Sequence, residues 1–174
     1  MTATGIVRRI DDLGRVVIPK ELRRKLKWRP GAPVEIFTAP DGIVSLKKYT
    51  YMGEDSILAQ KLADSMAQSS KCVVMVTDMD QVIAASGSAK AQLLEKSISV
   101  ELENAIHARN ILVIDGMHVA TDCPVYPHAI IAPIVSGGDA EGAVVMLSKD
   151  TGFGDNEVML AKTMALFLSN YIDI

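Results

Sequence analysis

Between Gly5 and Lys27 the chain reads GIVRRIDDLGRVVIPKELRRKLK, with eight basic residues against three acidic ones, Asp11, Asp12 and Glu21. Residues 1–48 carry 11 basic and 5 acidic side chains, residues 49–174 carry 7 and 16, and the whole chain is net −3. Such a split separates a compact cationic head, fit for a polyanion, from an acidic body that a polyanion would repel. It points to a nucleic-acid-binding module fused to a second domain. The head is also small: short strands with no disulfide and no metal ligands bury too little apolar surface to stand comfortably alone. A second copy would complete it, and the homodimer would present a doubled basic surface to a two-fold DNA site.

At 174 residues there is room for one ordinary domain or two small ones. The charge split and a boundary near Tyr49–Asp55 favour two, residues 1–50 and residues 54–174. With 49% apolar and 22% charged residues the chain is expected to fold. Its longest apolar runs, AIIAPIV (129–135) and GAVVML (142–147), are strand-sized rather than membrane-spanning. The N-terminus lacks the apolar stretch of a secretory signal, and Thr2 gives no myristoylation site. Cys72 and Cys123 show no framework spacing, which fits a reducing, cytoplasmic location. Aromatic residues make up 5% of the chain, too few for the stacking platforms that hold single strands.

Within the head, GIVRRI reads as a strand, IDDLG as a turn and RVVIP as a second strand. Pro19 then opens a short helix, KELRRKLK, where its missing N–H costs nothing. VEIFT (34–38) and IVSLKK (43–48) follow as strands joined by the turn sequence APDG. On a helical wheel Leu22 and Leu26 form one narrow apolar stripe, while Lys20, Arg23, Arg24 and Lys27 fall roughly 100–200° away from it. An exposed cationic helix face is most often just solvated. Here Arg8, Arg9 and Arg15 sit on adjacent strands with few acids nearby, and that favours DNA binding. Arginine also presents a planar fork suited to phosphate oxygens and guanine edges.

The segment TGIVRRIDDLGRVVIPKELRRKL, with PGAPVEIF and IVSLKKY, closely resembles the swapped-hairpin DNA-binding domain of the AbrB family of bacterial transition-state regulators. The resemblance implies two chains interleaving their hairpins into one barrel-like dimer that grips double-stranded DNA. It implies DNA contacts by Arg8, Arg15, Arg23 and Arg24, to which the charge pattern adds Arg9, Lys20 and Lys27. A looser resemblance to antitoxins sharing this hairpin leaves a protein-interaction module as the alternative.

After Glu54 the chain changes character. ILAQKLADSMA (57–67) places Leu58, Leu62 and Met66 on one helical face, flanked by Ala59, Ala63 and Ala67. CVVMVTD and VIAAS read as a hairpin, residues 89–108 as polar and helix-prone, and ILVI (111–114), AIIAPIV and AVVMLSK (143–149) as further strands. The final helix has its own start signal: Gly154 as N-cap, Glu157 three residues on, and Phe153 with Val158 as a hydrophobic staple. Its apolar residues Leu160, Met164, Phe167 or Leu168, and Tyr171 exceed one stripe, so it should pack on the sheet and against another helix. The whole is expected to be an α+β protein, its second domain an α/β sandwich. The order resembles a GAF domain, the small-molecule sensor module. Through AASGSAKAQLLEKSIS (84–99) and APIVSGGDAEGAVVMLSKD (132–150) the chain resembles sporulation regulators that join a swapped hairpin to a GAF domain. That implies control of sporulation genes, with activation at some promoters and repression at others, and sensor domains that assemble a homotetramer. Asn110–His128, where such domains build the pocket wall, matches poorly.

Ser86 and Ser88 after a strand, together with Asp78, are the candidate contacts to an unidentified small-molecule effector, although the serines serve equally as caps. His118, Cys123 and His128, with Asp122 between, lack paired metal-ligand spacing, so no metal is expected. Cys72 and Cys123 suggest the reductases built on GAF folds, but no nucleophile–base motif accompanies them. Ser136-Gly137-Gly138-Asp139 and Gly152-Phe153-Gly154 lack the Lys-Ser/Thr of a phosphate loop and read as turns. The expectation is a non-enzymatic regulator without cofactor or membrane segment.

Overall fold

The computed structural model describes residues 5–26, 28, 30–49 and 56–172, so Lys27 and the stretch 50–55 lie outside the described residues. The chain divides into two compact units, Met1–Tyr49 and Thr50–Ile174.

In the first unit a single turn-and-a-half helix, α1 (Lys20–Lys25), follows Pro19, and a hairpin pairs β1 (Val34–Thr38) with β2 (Val44–Lys48). The register sets Ile36 opposite Leu46 and Thr38 opposite Val44, which gathers apolar side chains on one face. Among the described residues of this unit that face is left open: Ile36 is 64% exposed and Val44 63%. The expected strands at 5–10 and 15–19 are not formed as ladders. At their turn Asp11 N donates to Arg15 O at 3.1 Å and Gly14 N to Asp11 O at 2.9 Å. A strand exists only against a neighbour that takes its N–H and C=O groups in a regular ladder, and no such ladder is found for these segments among the described residues. The leucine stripe of α1 is likewise uncovered, with Leu22 half-buried and Leu26 exposed. Among the described residues of this unit only Pro19 is buried.

The second unit is a five-stranded antiparallel sheet in the order β4-β3-β7-β6-β5. Its strands are β3 (Val73–Thr77), β4 (Val82–Ser86), β5 (Leu112–Met117), β6 (Tyr126–Ser136) and β7 (Asp139–Ser148). All five residues of β3 are buried, as a Val-rich strand covered on both faces should be. β6 and β7 turn at Gly137-Gly138, whose φ of +57° and +89° suit the tight primed turns that follow strand twist. On one face lie α2 (Ser56–Ser70) and α5 (Asp155–Ile172). Here the small-residue flank of α2 goes deepest: Ala59 and Ala63 are buried with Met66, while Leu58 and Leu62 are half-buried and pack against the same cluster. Alanines allow the helix backbone to approach the strands closely, which the larger leucines would prevent. α5 starts as its sequence indicates, with Glu157 Oε2 accepting from Gly154 N at 3.0 Å. Near its end the buried Ser169 hydroxyl accepts from Val135 N (3.1 Å), freed at the β6 bulge, and donates to Ala165 O.

The opposite face is covered by α3 (Lys90–Leu93), α4 (Val100–His107) and the segment 118–125. Ser99 fastens this cover. Its hydroxyl caps α4 at Leu102 N (3.0 Å) and donates to His118 O (2.6 Å), while Glu101 accepts from His118 N. Thr121 closes on Ser97 O through both its N–H and its hydroxyl.

Candidate functional site

The cations of the head are held by local structure. Arg15 closes the turn after Asp11: Asp11 Oδ1 accepts from Leu13 N (3.0 Å) and Arg15 N (2.8 Å), and Oδ2 accepts from Arg15 Nε (2.8 Å). The Arg15 backbone N–H first, then its guanidinium, hold the Asp11 carboxyl below its ordinary range. Arg8 donates to Val7 O at 3.1 Å and remains exposed, as do Arg9, Lys20 and Arg24. Arg23 differs from the wheel expectation. It is half-buried, and its Nε donates to Ile18 O at 3.2 Å, so it ties the helix to the segment before Pro19. Arg8, Arg9, Arg15, Lys20 and Arg24 therefore present charge outward, while Arg23 divides its donors between the fold and the surface. Lys27 lies outside the described residues.

In the second unit the three candidate effector contacts do not converge. Asp78 is buried and spends Oδ1 on the turn of the β3–β4 hairpin, accepting from Asp80 N and Gln81 N at 2.7 Å each. Ser86 donates to Asp64 of α2 and so helps to hold that carboxyl below its ordinary range. Ser88 is exposed in the turn before α3. Gln60 of α2 clasps the same edge strand, donating to Ala85 O at 2.9 Å and to Asp64 at 2.8 Å.

Under α3 and α4, Leu93, Leu102, Ile106, Val119, Ala129 and Ile131 pack against the sheet. Tyr126, 1% exposed, lies among them, and its hydroxyl has no hydrogen-bond partner among the described residues. Burial pushes its phenol up. A buried hydroxyl left unpaired costs about 1–3 kcal/mol, and Thr77 Oγ1 is the other buried side-chain oxygen without a partner among the described residues. Pattern reading missed Tyr126, because nothing in PVYPHA tells that its hydroxyl would be sealed from water.

The remaining candidates sit apart. Cys123 is buried on the covered face with Sγ toward Gln92 O (3.4 Å), whereas Cys72 packs on the α2/α5 face with Sγ toward Ser70 O (3.4 Å). Burial raises both thiols, which leaves them protonated at neutral pH. His128 pairs across strands with Asp115 at 2.7 Å, and His118 is exposed. Among the described residues no three His, Cys, Asp or Glu side chains gather to hold a metal. Nor is any described helix long and apolar enough to cross a membrane.

Comparison with known proteins agrees with this division. Residues 54–173 match the family described as stage V sporulation protein T C-terminal, transcription factor. Residues 7–49 match a family described as antidote-toxin recognition MazE, bacterial antitoxin. The chain is 43% identical over 182 aligned residues to stage V sporulation protein T of Bacillus subtilis (strain 168), covering 99% of each. Its head is 53% identical over 49 residues to the transition state regulatory protein AbrB of the same organism, 28% of this chain and 50% of that one. In fold the second unit resembles the GAF domain of an Acinetobacter phosphoenolpyruvate-protein phosphotransferase (TM-score 0.58, 12% identity, 72% of this chain and 84% of that one). The sheet order and the helices on both faces are thus those of a GAF domain, and the head is AbrB-like. The chain belongs to the stage V sporulation protein T family of transcription factors.

Proposed function

We propose that the chain is a DNA-binding regulator of sporulation genes, dimeric at its head and tetrameric through its sensor domains. The observation that carries the proposal is the head itself: exposed cations on a chain segment whose apolar residues Ile36, Val44 and Leu46 stay exposed among the described residues. A second head, interleaving its hairpins with the first, would pair the strand-like segments at 5–10 and 15–19 and cover Ile36, Val44 and Leu46. Arg8, Arg9, Arg15, Lys20 and Arg24 from two chains would then line one double-stranded DNA site, joined by Arg23 and Lys27. Phosphate contacts would supply most of the affinity, and fewer base contacts together with DNA deformability the selectivity.

The sensor domains offer a second contact. On α5, Met159, Leu166, Phe167 and Tyr171 are exposed at helical spacing, and the Phe167 and Tyr171 rings stack at 6.4 Å. An apolar stripe of this kind suits the matching helix of another copy. Tyr126 marks the contact for a small-molecule effector under α3 and α4. Two protonated thiols on opposite faces of one sheet support a regulator rather than a reductase.

The MazE match over residues 7–49 favours a second reading, in which the head neutralises a toxin-like protein. A stoichiometric toxin-like partner co-purifying with the chain would support that reading over the regulator. The regulator is tested by titrating a promoter duplex with wild-type and Arg15→Ala protein. The expected result is affinity lowered at least tenfold, with the melting transition unchanged, since one lost charge-assisted contact is worth about 1.5–3 kcal/mol. Equal affinity for both proteins would refute it.

A further inference from the structure

We infer that Asp11, an acid inside the cationic head, is a positioning residue that sets Arg15 for sequence-selective contact with DNA. The inference rests on the DNA-binding reading and deepens it. Charge alone predicts the opposite role, because a carboxylate on a DNA-facing surface repels phosphate. The geometry around Asp11 removes that objection. Both carboxylate oxygens are engaged, Oδ1 by Leu13 N and Arg15 N and Oδ2 by Arg15 Nε, so the charge is spent within five residues of chain.

The same contacts fix the arginine. With Nε on the carboxylate, the guanidinium plane is set by the turn rather than by a free four-bond side chain, and neither Nη1 nor Nη2 donates a hydrogen bond among the described residues. The Nη1–Nη2 edge is the fork which reads a guanine or clasps a phosphate with two parallel hydrogen bonds. Arg15 is 70% exposed at its side chain, and Asp11 is the one side chain bonded to it among the described residues. A flexible arginine binds phosphate anywhere along a duplex, whereas an oriented one discriminates, because the entropy of ordering its rotamers has been met beforehand. All of these partners lie between Asp11 and Arg15, so the device is intact in each chain whatever completes the barrel.

Asp11→Asn separates the roles. The amide oxygen still accepts from Leu13 and Arg15 N–H and keeps the turn, while its NH2 cannot accept from Arg15 Nε. Full-length protein is titrated with a duplex that the wild type selects from a random pool and with poly(dI-dC). The expected result for Asp11→Asn is a selected-to-random affinity ratio lowered about tenfold, the low end of what one bidentate base contact discriminates. Affinity for poly(dI-dC) stays equal or rises. In an Arg15→Ala background Asp11→Asn leaves the ratio unchanged. Asp11→Ser, whose hydroxyl also accepts at the turn, repeats the measurement if the asparagine variant folds poorly. If both duplexes bind more tightly and the ratio is unchanged, as removal of a repelling charge would give, Asp11 has no positioning role and the DNA-binding reading stands. If wild-type protein binds neither duplex, that reading fails and this inference with it.

Discussion

Gly142 shows how closely a single residue can constrain the sensor domain. A Cβ built on it would fall 1.9 Å from the Thr77 carbonyl oxygen, a backbone atom of the neighbouring strand that cannot move aside. Gly142→Ala is therefore expected to cost about 2–3 kcal/mol, at the upper end of overpacking, visible as a lowered midpoint in urea unfolding. A midpoint equal to wild type would mean that β3 and β7 are not in the register found here. Tyr126 carries the opposite expectation. Its hydroxyl is buried without a partner among the described residues, so Tyr126→Phe removes an unsatisfied group and should hold or raise stability by about 1 kcal/mol. The same variant should lose any shift in melting temperature produced by an effector. A variant destabilised by more than that would show the hydroxyl to be bonded in the folded protein.

Among the elements, α5 has one buried and one exposed apolar side. One side of it is spent on the sheet through Ala161, Ala165 and Leu168, while Phe167 and Tyr171 stay in solvent. Phe167→Glu is expected to convert a tetramer into a dimer in sedimentation, with unfolding free energy changed by no more than about 0.5 kcal/mol, as for a surface site. Much of this was legible in the sequence. The Gly154–Glu157 cap, the paired strands of the sensor domain and the turn at Gly137-Gly138 each depend on residues close in sequence. Other features depend on partners remote in sequence. Residues 5–10 and 15–19 have strand composition, yet form no ladder among the described residues, because strand composition alone does not supply the neighbour a ladder needs. The alanine side of α2 goes deeper than its leucines because the sheet decides how near a helix may come. Asp78, a candidate ligand contact, has Oδ1 accepting from Asp80 and Gln81 N–H in its own turn, a use that its place in the sequence does not announce.

For the molecule as a whole, the division of charge becomes a division of labour. The basic head leaves its apolar residues exposed, and the acidic GAF domain is a folded unit with its own cover, held down by Ser99, Glu101 and Thr121, and with exposed apolar residues on α5. Two heads make one DNA site in this account, and two sensor contacts bring such dimers together. The central claim is that the DNA grip belongs to a pair of chains. It is tested most directly by the stoichiometry of Phe167→Glu on a single selected duplex, measured by sedimentation, because this variant removes the other route to assembly. Two chains per duplex, with no monomer bound at any ratio, is the predicted result. One chain bound per duplex would contradict it.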